Sequence, residues 1–284
     1  MTTPTLAGWL RCPSCAQPLE PLGELGLGCV NGHRFDVNRR GYVTLLGPRE
    51  AVVGDSAAML DARDRFLIGG HYAPISAMID AVLRDALMPA EGRPERAIDL
   101  GCGTGHYLAG VVAQRPASSA LAVDLSPAAV ARTVRRFRGG SAVEPVVDGL
   151  VANTWRPLPI RDGAATLLLN VFAPRNPAEF HRILEPAGAL LVVIPRPEHL
   201  QELRAAGRVL GIGDDKHSQL VASLDAFFEL EESRPVEFVA ELTAAQIDDL
   251  IGMGPSAHHR SADSTTAAVA VTAAVDVVLF RRRG

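Results

Sequence analysis

Between residues 97 and 107 the chain reads Ala-Ile-Asp-Leu-Gly-Cys-Gly-Thr-Gly-His-Tyr, and few folds accommodate such a stretch. A short apolar strand ends in Asp99 and runs straight into glycines at 101, 103 and 105, which open a helical segment over 108–114. Glycines at alternate positions serve a turn too tight for residues with a Cβ, and they let a ligand lie against the main chain beside a helix N-terminus. The dinucleotide fingerprint needs its third glycine at 106, where His106 stands, which disfavours NAD or FAD. No Gly-Lys-Ser/Thr follows, so this is not the phosphate loop of an NTPase.

Nineteen residues after Gly105 a second apolar strand, 120–123, ends in Asp124, a carboxylate positioned to accept hydrogen bonds from a ribose diol. An acid followed by Gly-x-Gly-x-Gly, with another acid at this distance, resembles the first motif of class I S-adenosylmethionine-dependent methyltransferases. A plain turn with a solvated aspartate is the alternative. Strand and helix continue to alternate through a helix over 127–137, which implies a parallel sheet with right-handed crossovers. A third strand over 146–152 ends near Asn153, where an amide could meet an adenine edge. A fourth, over 164–169, ends in Asn170-Val-Phe-Ala-Pro-Arg-Asn, a loop at the carboxyl edge where substrates of open α/β sheets bind. Beyond it the pattern predicts a helix over 178–184, a strand over 189–194, a helix over 198–210, a strand over 236–242, a helix over 244–251 and a last strand over 268–280. Residues 281–283 read as a solvated arginine tail.

The four cysteines divide three to one. Cys102 lies in the glycine turn, while Cys12-Pro-Ser-Cys15 precedes Cys29-Val-Asn-Gly-His33 by thirteen residues. An odd cluster of three is a poor disulfide framework. Three thiolates and one imidazole at this spacing instead suit a tetrahedral Zn2+, structural because no position is left for water. So small a segment has too little core to fold unaided, and metal binding would supply its folding energy. The following stretch mixes Arg34, Arg39 and Arg40 with Phe35 and Tyr42, residues that can grip looped RNA by phosphate contact and base stacking. A β-ribbon with a solvated arginine face explains them equally well. Residues 48–54 read as a flexible connection. Helices over 55–67, capped by Asp55 or Ser56, and over 74–87 are expected to cover the sheet beside the glycine turn.

With 284 residues, 48% hydrophobic and 21% charged, the chain can form one large α/β domain with a small appendage. No apolar run approaches the roughly 20 residues of a membrane span, and the first eleven residues lack signal-peptide character, so a cytoplasmic location without a membrane is expected. A net charge of −4 argues against non-specific coating of nucleic acid. Lys216 is the only lysine, so nearly all positive charge is arginine.

Taken in order, several segments together resemble the bacterial 23S rRNA (guanine-N1-)-methyltransferases, some of which confer resistance to tylosin-type macrolides. They are Cys12/Cys15/Cys29/His33, Phe35-Asp36, Gly41-Tyr42-Val43, Gly54-Asp55-Ser56 through Ala62-Arg63, Gly70-His71-Tyr72, Asp99 to Gly105, Asn170 to Pro174 and His199-Leu-Gln-Glu-Leu203. The resemblance covers nearly the whole chain. It implies a Rossmann-like class I methyltransferase with an N-terminal zinc module, commonly a homodimer, dividing as 1–45 (zinc-binding RNA recognition), 46–90 (helical cover of the cleft) and 91–284 (methyltransferase). It implies that S-adenosylmethionine is held by Tyr72, Asp99, Gly101, Gly103, Thr104, Gly105, His106, Asp124, Asn153 and His199. On the sequence alone Tyr72 reads as core and His199 as a helix-surface residue. Phe172-Ala-Pro174 suggests the subfamily with the resistance enzymes. One departure is Pro186-Ala-Gly188, where the family's turn is Pro-Gly-Gly.

The implied reaction is methylation at N1 of a guanine in a 23S rRNA hairpin loop near the peptide exit tunnel. Displacement at a sulfonium depends on alignment, so proximity supplies much of the acceleration, and the guanine must leave any stack or pair. Asn170 is expected to orient the base, and His106 is either a proton acceptor or a neighbour of the cofactor. A small-molecule methyltransferase shares the glycine turn but has no use for the zinc module. A non-catalytic zinc-dependent RNA-binding factor has no use for the intact turn.

Overall fold

The apolar stretches that lie between glycine and proline breaks become strands of one sheet, eleven-stranded among the described residues. The computed structural model describes residues 3–47, 54–86, 95–114, 119–138, 146–211, 213, 215–254 and 268–284. The chain opens with helix α1 (Thr3–Trp9), whose Leu6, Ala7 and Trp9 are buried, and continues through the short strands β1 (Glu20–Pro21), β2 (Gly26–Gly28), β3 (Arg34–Asn38) and β4 (Tyr42–Thr44). Most of the expected connection over 48–54 lies outside the described residues. Helices α2 (Ala57–Ile68) and α3 (Ala73–Ala86) follow, and Ser56 caps α2 by accepting the Met59 N–H.

The central alternation is β5 (Arg96–Leu100), α4 (His106–Ala113), β6 (Ser119–Asp124), α5 (Pro127–Arg136), β7 (Val146–Val151), β8 (Ala165–Val171), α6 (Pro177–Ile183) and β9 (Leu184–Pro195). The last part comprises α7 (Gln201–Ala205), α8 (Lys216–Leu224), β10 (Phe228–Leu242), α9 (Ala244–Gly252) and β11 (Val269–Arg282). The sheet order is β1-β2-β3-β4-β7-β6-β5-β8-β9-β11-β10. Neighbours from β4 to β9 pair in parallel, and β11 inserts antiparallel between β9 and β10. This is the doubly wound α/β arrangement expected from the alternation. Its central strands are buried on both faces and therefore read as continuous apolar runs. Ala97, Ala120 and Ala122 face one core, and Ile98, Leu100, Leu121 and Val123 face the other, as the two-residue period of a strand requires.

The parallel strands end together. Leu100 pairs with Val123, Asp124 with Val151, and Val151 with Thr44, so the segments after β5, β6, β7 and β8 all emerge along one edge. The zinc-module strands extend the same sheet, with β4 pairing on β7 and β3 antiparallel to β4.

Three expectations fail at the C-terminal side. The helix over 198–210 shrinks to Gln201–Ala205, because Leu200 takes φ 57°, Gly207 takes φ 67°, and the Leu200 N–H is drawn to the Thr272 carbonyl of β11. Residues 281–283 are no solvated tail: Arg281 pairs with Glu231, Arg282 Nη1 donates to the Leu184 carbonyl (2.6 Å), and Arg283 pairs with Asp225 (3.1 Å). β10 starts eight residues earlier than its apolar core suggests. As the edge strand it buries only Phe228, Val236 and Leu242, alternates half-buried and exposed residues over most of its length, and tolerates Pro235. Helices α1 and α8 have no periodic signal long enough to announce them. Among the described residues no single helix is long and apolar enough to cross a membrane.

Candidate cofactor cleft and metal centre

The glycine turn joins β5 to α4 with Gly101, Gly103 and Gly105 at φ 87°, 52° and 72°. The Gly101 and Cys102 N–H groups both donate to the Val123 carbonyl, which folds the turn back over β6. Space is as restrictive as conformation: a Cβ at Gly101 would stand 2.5 Å from the Ala173 Cβ, and one at Gly105 2.6 Å from Thr133 Cγ2. Gly105 caps α4 without a side-chain hydrogen bond. The first N–H groups of the helix therefore have no side-chain cap and can serve a ligand.

Two buried carboxyls share this end of the sheet. Burial, and then the charge of Asp124, push Asp99 up to about 7. Burial also raises Asp124, against the opposing pull of the Ser126 N–H (2.8 Å to Oδ1) and the Gly103 N–H (3.0 Å to Oδ2). Such a pair favours a cationic ligand, which would relieve the repulsion. Thr104 Oγ1 is buried without a hydrogen-bond partner among the described residues, so the cradle retains polar capacity that the protein does not satisfy. Burial, then Arg136, lower His106, whose Nε2 lies 3.4 Å from Ser76 Oγ. The residues therefore fit S-adenosylmethionine, with its positive centres and ribose diol. Asn153 is buried, and its Oδ1 accepts the Trp155 N–H at 2.9 Å, which makes it a turn-former as well as a neighbour of the cleft.

The loop after β8 presses onto the glycine turn. Asn170 is fully buried, and its Nδ2 donates to the carbonyls of Leu100 (3.3 Å) and Pro174 (2.9 Å), while its Oδ1 has no partner among the described residues. Only the oxygen is thus available for the expected role. Phe172 takes φ 52° and stacks on the His199 ring at 6.2 Å. His199 is buried, contrary to the helix-surface reading of the sequence. Its Nδ1 accepts the Ala274 N–H at 3.2 Å, so the proton belongs on Nε2, which lies 3.4 Å from the buried Tyr72 hydroxyl. Burial lowers His199 to about 4 and pushes Tyr72 up, so both are neutral near pH 7.

Arg63 is missing from the expected site residues, although it ends the segment Gly54-Asp55-Ser56 through Ala62-Arg63 on which the resemblance rests. It pairs with Asp55 (2.5 Å), donates to the Met253 carbonyl (2.6 Å) and lies across Gly103, 2.8 Å from where a Cβ there would be. It joins α2 and α9 over the turn.

In the N-terminal module the donor atoms of Cys12, Cys15, Cys29 and His33 all lie within 4.8 Å of one another. Cys12 Sγ to His33 Nδ1 is 3.6 Å, Cys15 Sγ to Cys29 Sγ 3.7 Å, and Cys29 Sγ to His33 Nδ1 3.4 Å. A tetrahedron with metal–sulfur bonds of about 2.3 Å has edges of about 3.8 Å, so the set fits Zn2+. The Gln17 N–H helps lower Cys15 to about 6, which favours the thiolate that a metal needs.

The proposed RNA contacts separate. Arg34 follows His33 at the start of β3, and because β3 is antiparallel to β4 it lies toward the edge of the glycine turn. Arg39 and Arg40 form the exposed β3–β4 turn at the opposite edge. Tyr42 corrects the expectation: it is buried in the main core, where a Cβ on Gly149 would come 2.6 Å from its own Cβ, so it cannot stack on a base. The exposed aromatics at the ligand edge are instead Trp155 and Phe172.

Residues 10–49 match a family model described as "RlmA, N-terminal". A Streptomyces fradiae protein named 23S rRNA (guanine(748)-N(1))-methyltransferase is 39% identical over 92% of this chain and 90% of its own length. A Micromonospora griseorubida protein assigned as a 23S rRNA (guanine-N(1)-)-methyltransferase is 40% identical over 98% of this chain and 99% of its own. The crystal structure of the MccD protein has a TM-score of 0.50 at 13% identity, over 72% of this chain and 96% of that one, a likeness of fold.

Proposed function

The chain belongs to the 23S rRNA (guanine-N1-)-methyltransferases, and on that premise we propose which of its residues carry the reaction. The enzyme methylates N1 of a guanine in 23S rRNA and depends on S-adenosylmethionine, with Zn2+ in its N-terminal module. Bound S-adenosylmethionine supplies an electrophilic methyl group. The backbone of Gly101, Gly103 and Gly105, the carboxyls of Asp99 and Asp124 and the Thr104 hydroxyl hold it; the observation that carries this is the pair of buried carboxyls beside the unsatisfied Thr104 Oγ1. Tyr72, His106, Asn153 and His199 border it from outside the turn. Cys12, Cys15, Cys29 and His33 hold the metal.

Guanine N1 must lose its proton. His199 does not take it, because its Nδ1 accepts a backbone N–H and burial keeps its affinity for a proton low. Asn170 Oδ1 orients the base: Asn170→Ala then lowers turnover on RNA, and unchanged turnover removes it from the site. Arg34, Arg39 and Arg40 contact rRNA phosphates, those at the far edge only where the RNA extends past the reacting guanine. Segment 1–45 serves RNA recognition, 46–90 covers the cleft and 91–284 carries out the transfer, although one sheet runs through the first and the last. The enzyme acts as a cytoplasmic homodimer with no membrane attachment.

The target is the guanine for which the Streptomyces fradiae relative is named, in a hairpin loop near the exit tunnel, with tylosin-type resistance as a consequence. Primer extension across 23S rRNA treated with enzyme and cofactor tests this, because an N1 methyl blocks Watson–Crick pairing. A single new stop at that guanine supports the reading; a stop elsewhere moves the target; no stop, with cofactor binding intact, favours a small-molecule substrate. Tylosin tolerance of a sensitive host expressing the protein tests the resistance role.

A further inference from the structure

Phe172 combines features that its place in the fold does not require. It is 42% exposed, takes left-handed backbone at φ 52°, and sits one residue past the end of β8. Backbone in this region is unfavourable for a side chain with a Cβ and persists where surrounding structure enforces it, commonly at functional sites. The enforcing contacts are present on both sides of the residue. Its own N–H donates to the Val193 carbonyl, Asn170 Nδ2 clasps the loop to Leu100, and Ala173 packs where a Cβ on Gly101 would be. The loop is therefore fixed against the glycine turn, with the phenyl ring at the mouth of the cofactor cleft.

The ring is also held from behind. One side stacks on His199 at 6.2 Å with an interplanar angle of 26°, and His199 is itself fixed between the Ala274 N–H and the Tyr72 hydroxyl. A rigid, half-exposed aromatic at the ligand edge suits an extruded nucleobase, which must exchange its own stack for another flat partner. Tyr42, expected for that task, is buried on the far side of β7. We propose that the open side of Phe172 is the platform on which the target guanine stacks, turning its N1 edge toward the glycine turn. This rests on the reading of the chain as a guanine-N1 methyltransferase.

The test uses the full-length enzyme, 23S rRNA and the variants Phe172→Leu and Phe172→Tyr. Leucine removes the flat ring without demanding new backbone, since Leu200 already occupies φ 57° in this protein. Calorimetry gives cofactor affinity, and single-turnover primer extension at saturating RNA gives the methylation rate. Phe172→Leu is expected to bind S-adenosylmethionine within about twofold of wild type and to lose roughly 10- to 100-fold in rate, the range that base–aromatic stacking spans, while Phe172→Tyr stays within about threefold. Loss of rate in both variants alike, retention in both, or a fall in cofactor affinity parallel to the rate would overturn the platform; the last would make Phe172 a cover for the cofactor. Wild-type enzyme that binds cofactor but leaves rRNA unmodified would overturn the underlying reading as well, and is distinguishable because it does not depend on the variants.

Discussion

Ala187 occupies left-handed backbone at φ 63° in the turn Pro186-Ala-Gly188. That conformation costs a residue with a Cβ about 1–2 kcal/mol, while glycine costs about 0.4–1 kcal/mol through the freer unfolded chain. Ala187→Gly is therefore expected to raise the melting temperature by about 1–3 °C without altering methylation, as scanning calorimetry can check. Asp99 works in the opposite sense. Its folded-state proton affinity, near 7, exceeds the ordinary carboxyl value, so the native state holds a proton that the unfolded chain releases. The contribution of Asp99 to stability must then decline as pH rises from about 4 to about 7. Asp99→Asn should be increasingly more stable than wild type across that window in urea titrations, and should bind S-adenosylmethionine more weakly. Parallel stability profiles would show that Asp99 is not buried as a strained acid.

At the scale of the element, α2 lies over the glycine turn. Besides Arg63 over the glycine turn, it carries Asp61, Asp64 and Arg65, which pair with Arg132 (2.7 Å from Asp61, 3.0 Å from Asp64), Arg136 (3.1 Å) and Asp249 (2.6 Å) on α5 and α9. Arg136 in turn donates to the Thr104 carbonyl. Partly exposed pairs each contribute up to about 1 kcal/mol and less in salt. Asp64→Ala is thus expected to lower global stability by about 1 kcal/mol yet to weaken cofactor binding several-fold, because it removes the carboxylate that holds Arg136 on the Thr104 carbonyl, while Arg132 keeps Asp61. Calorimetric titration at low and high salt checks this; equal affinity in variant and wild type would detach α2 from the cofactor. The helical spacing over 55–67, with Met59, Leu60, Phe66 and Leu67 apolar, made the helix legible, but its charged face gave no hint of which helix it would meet.

On the scale of the whole molecule the zinc module has no separate core. Leu10, Cys12, Leu19, Leu27, Val37 and Val43 belong to the same buried cluster as Ile98, Leu121 and Val123, and Arg161 ties the module down through the carbonyls of Leu10 (2.9 Å) and Leu19 (2.7 Å). Metal binding and folding are coupled in small modules of this kind. Chelation of Zn2+ should therefore lower the melting of the entire protein within one cooperative transition, seen by calorimetry. Two separated transitions, the upper one unmoved by chelator, would contradict the shared core.

The sequence by itself determined what depends on nearby residues. The glycine turn, the Cys3His spacing and the alternation from 97 to 194 each express a local constraint, a positive φ, a tetrahedral edge or a strand buried on both faces, and each is found where the spacing put it. Tertiary structure decided what depends on residues far apart in the chain. His199 is buried because Ala274 and Tyr72 close on it, Arg281 and Arg282 are strand residues because β11 stays paired with β10, and Tyr42 turns inward because Gly149 leaves room for it. No local pattern encodes those encounters, since a side chain's burial and partners follow from which strands become neighbours, and that ordering is fixed only when the whole sheet assembles.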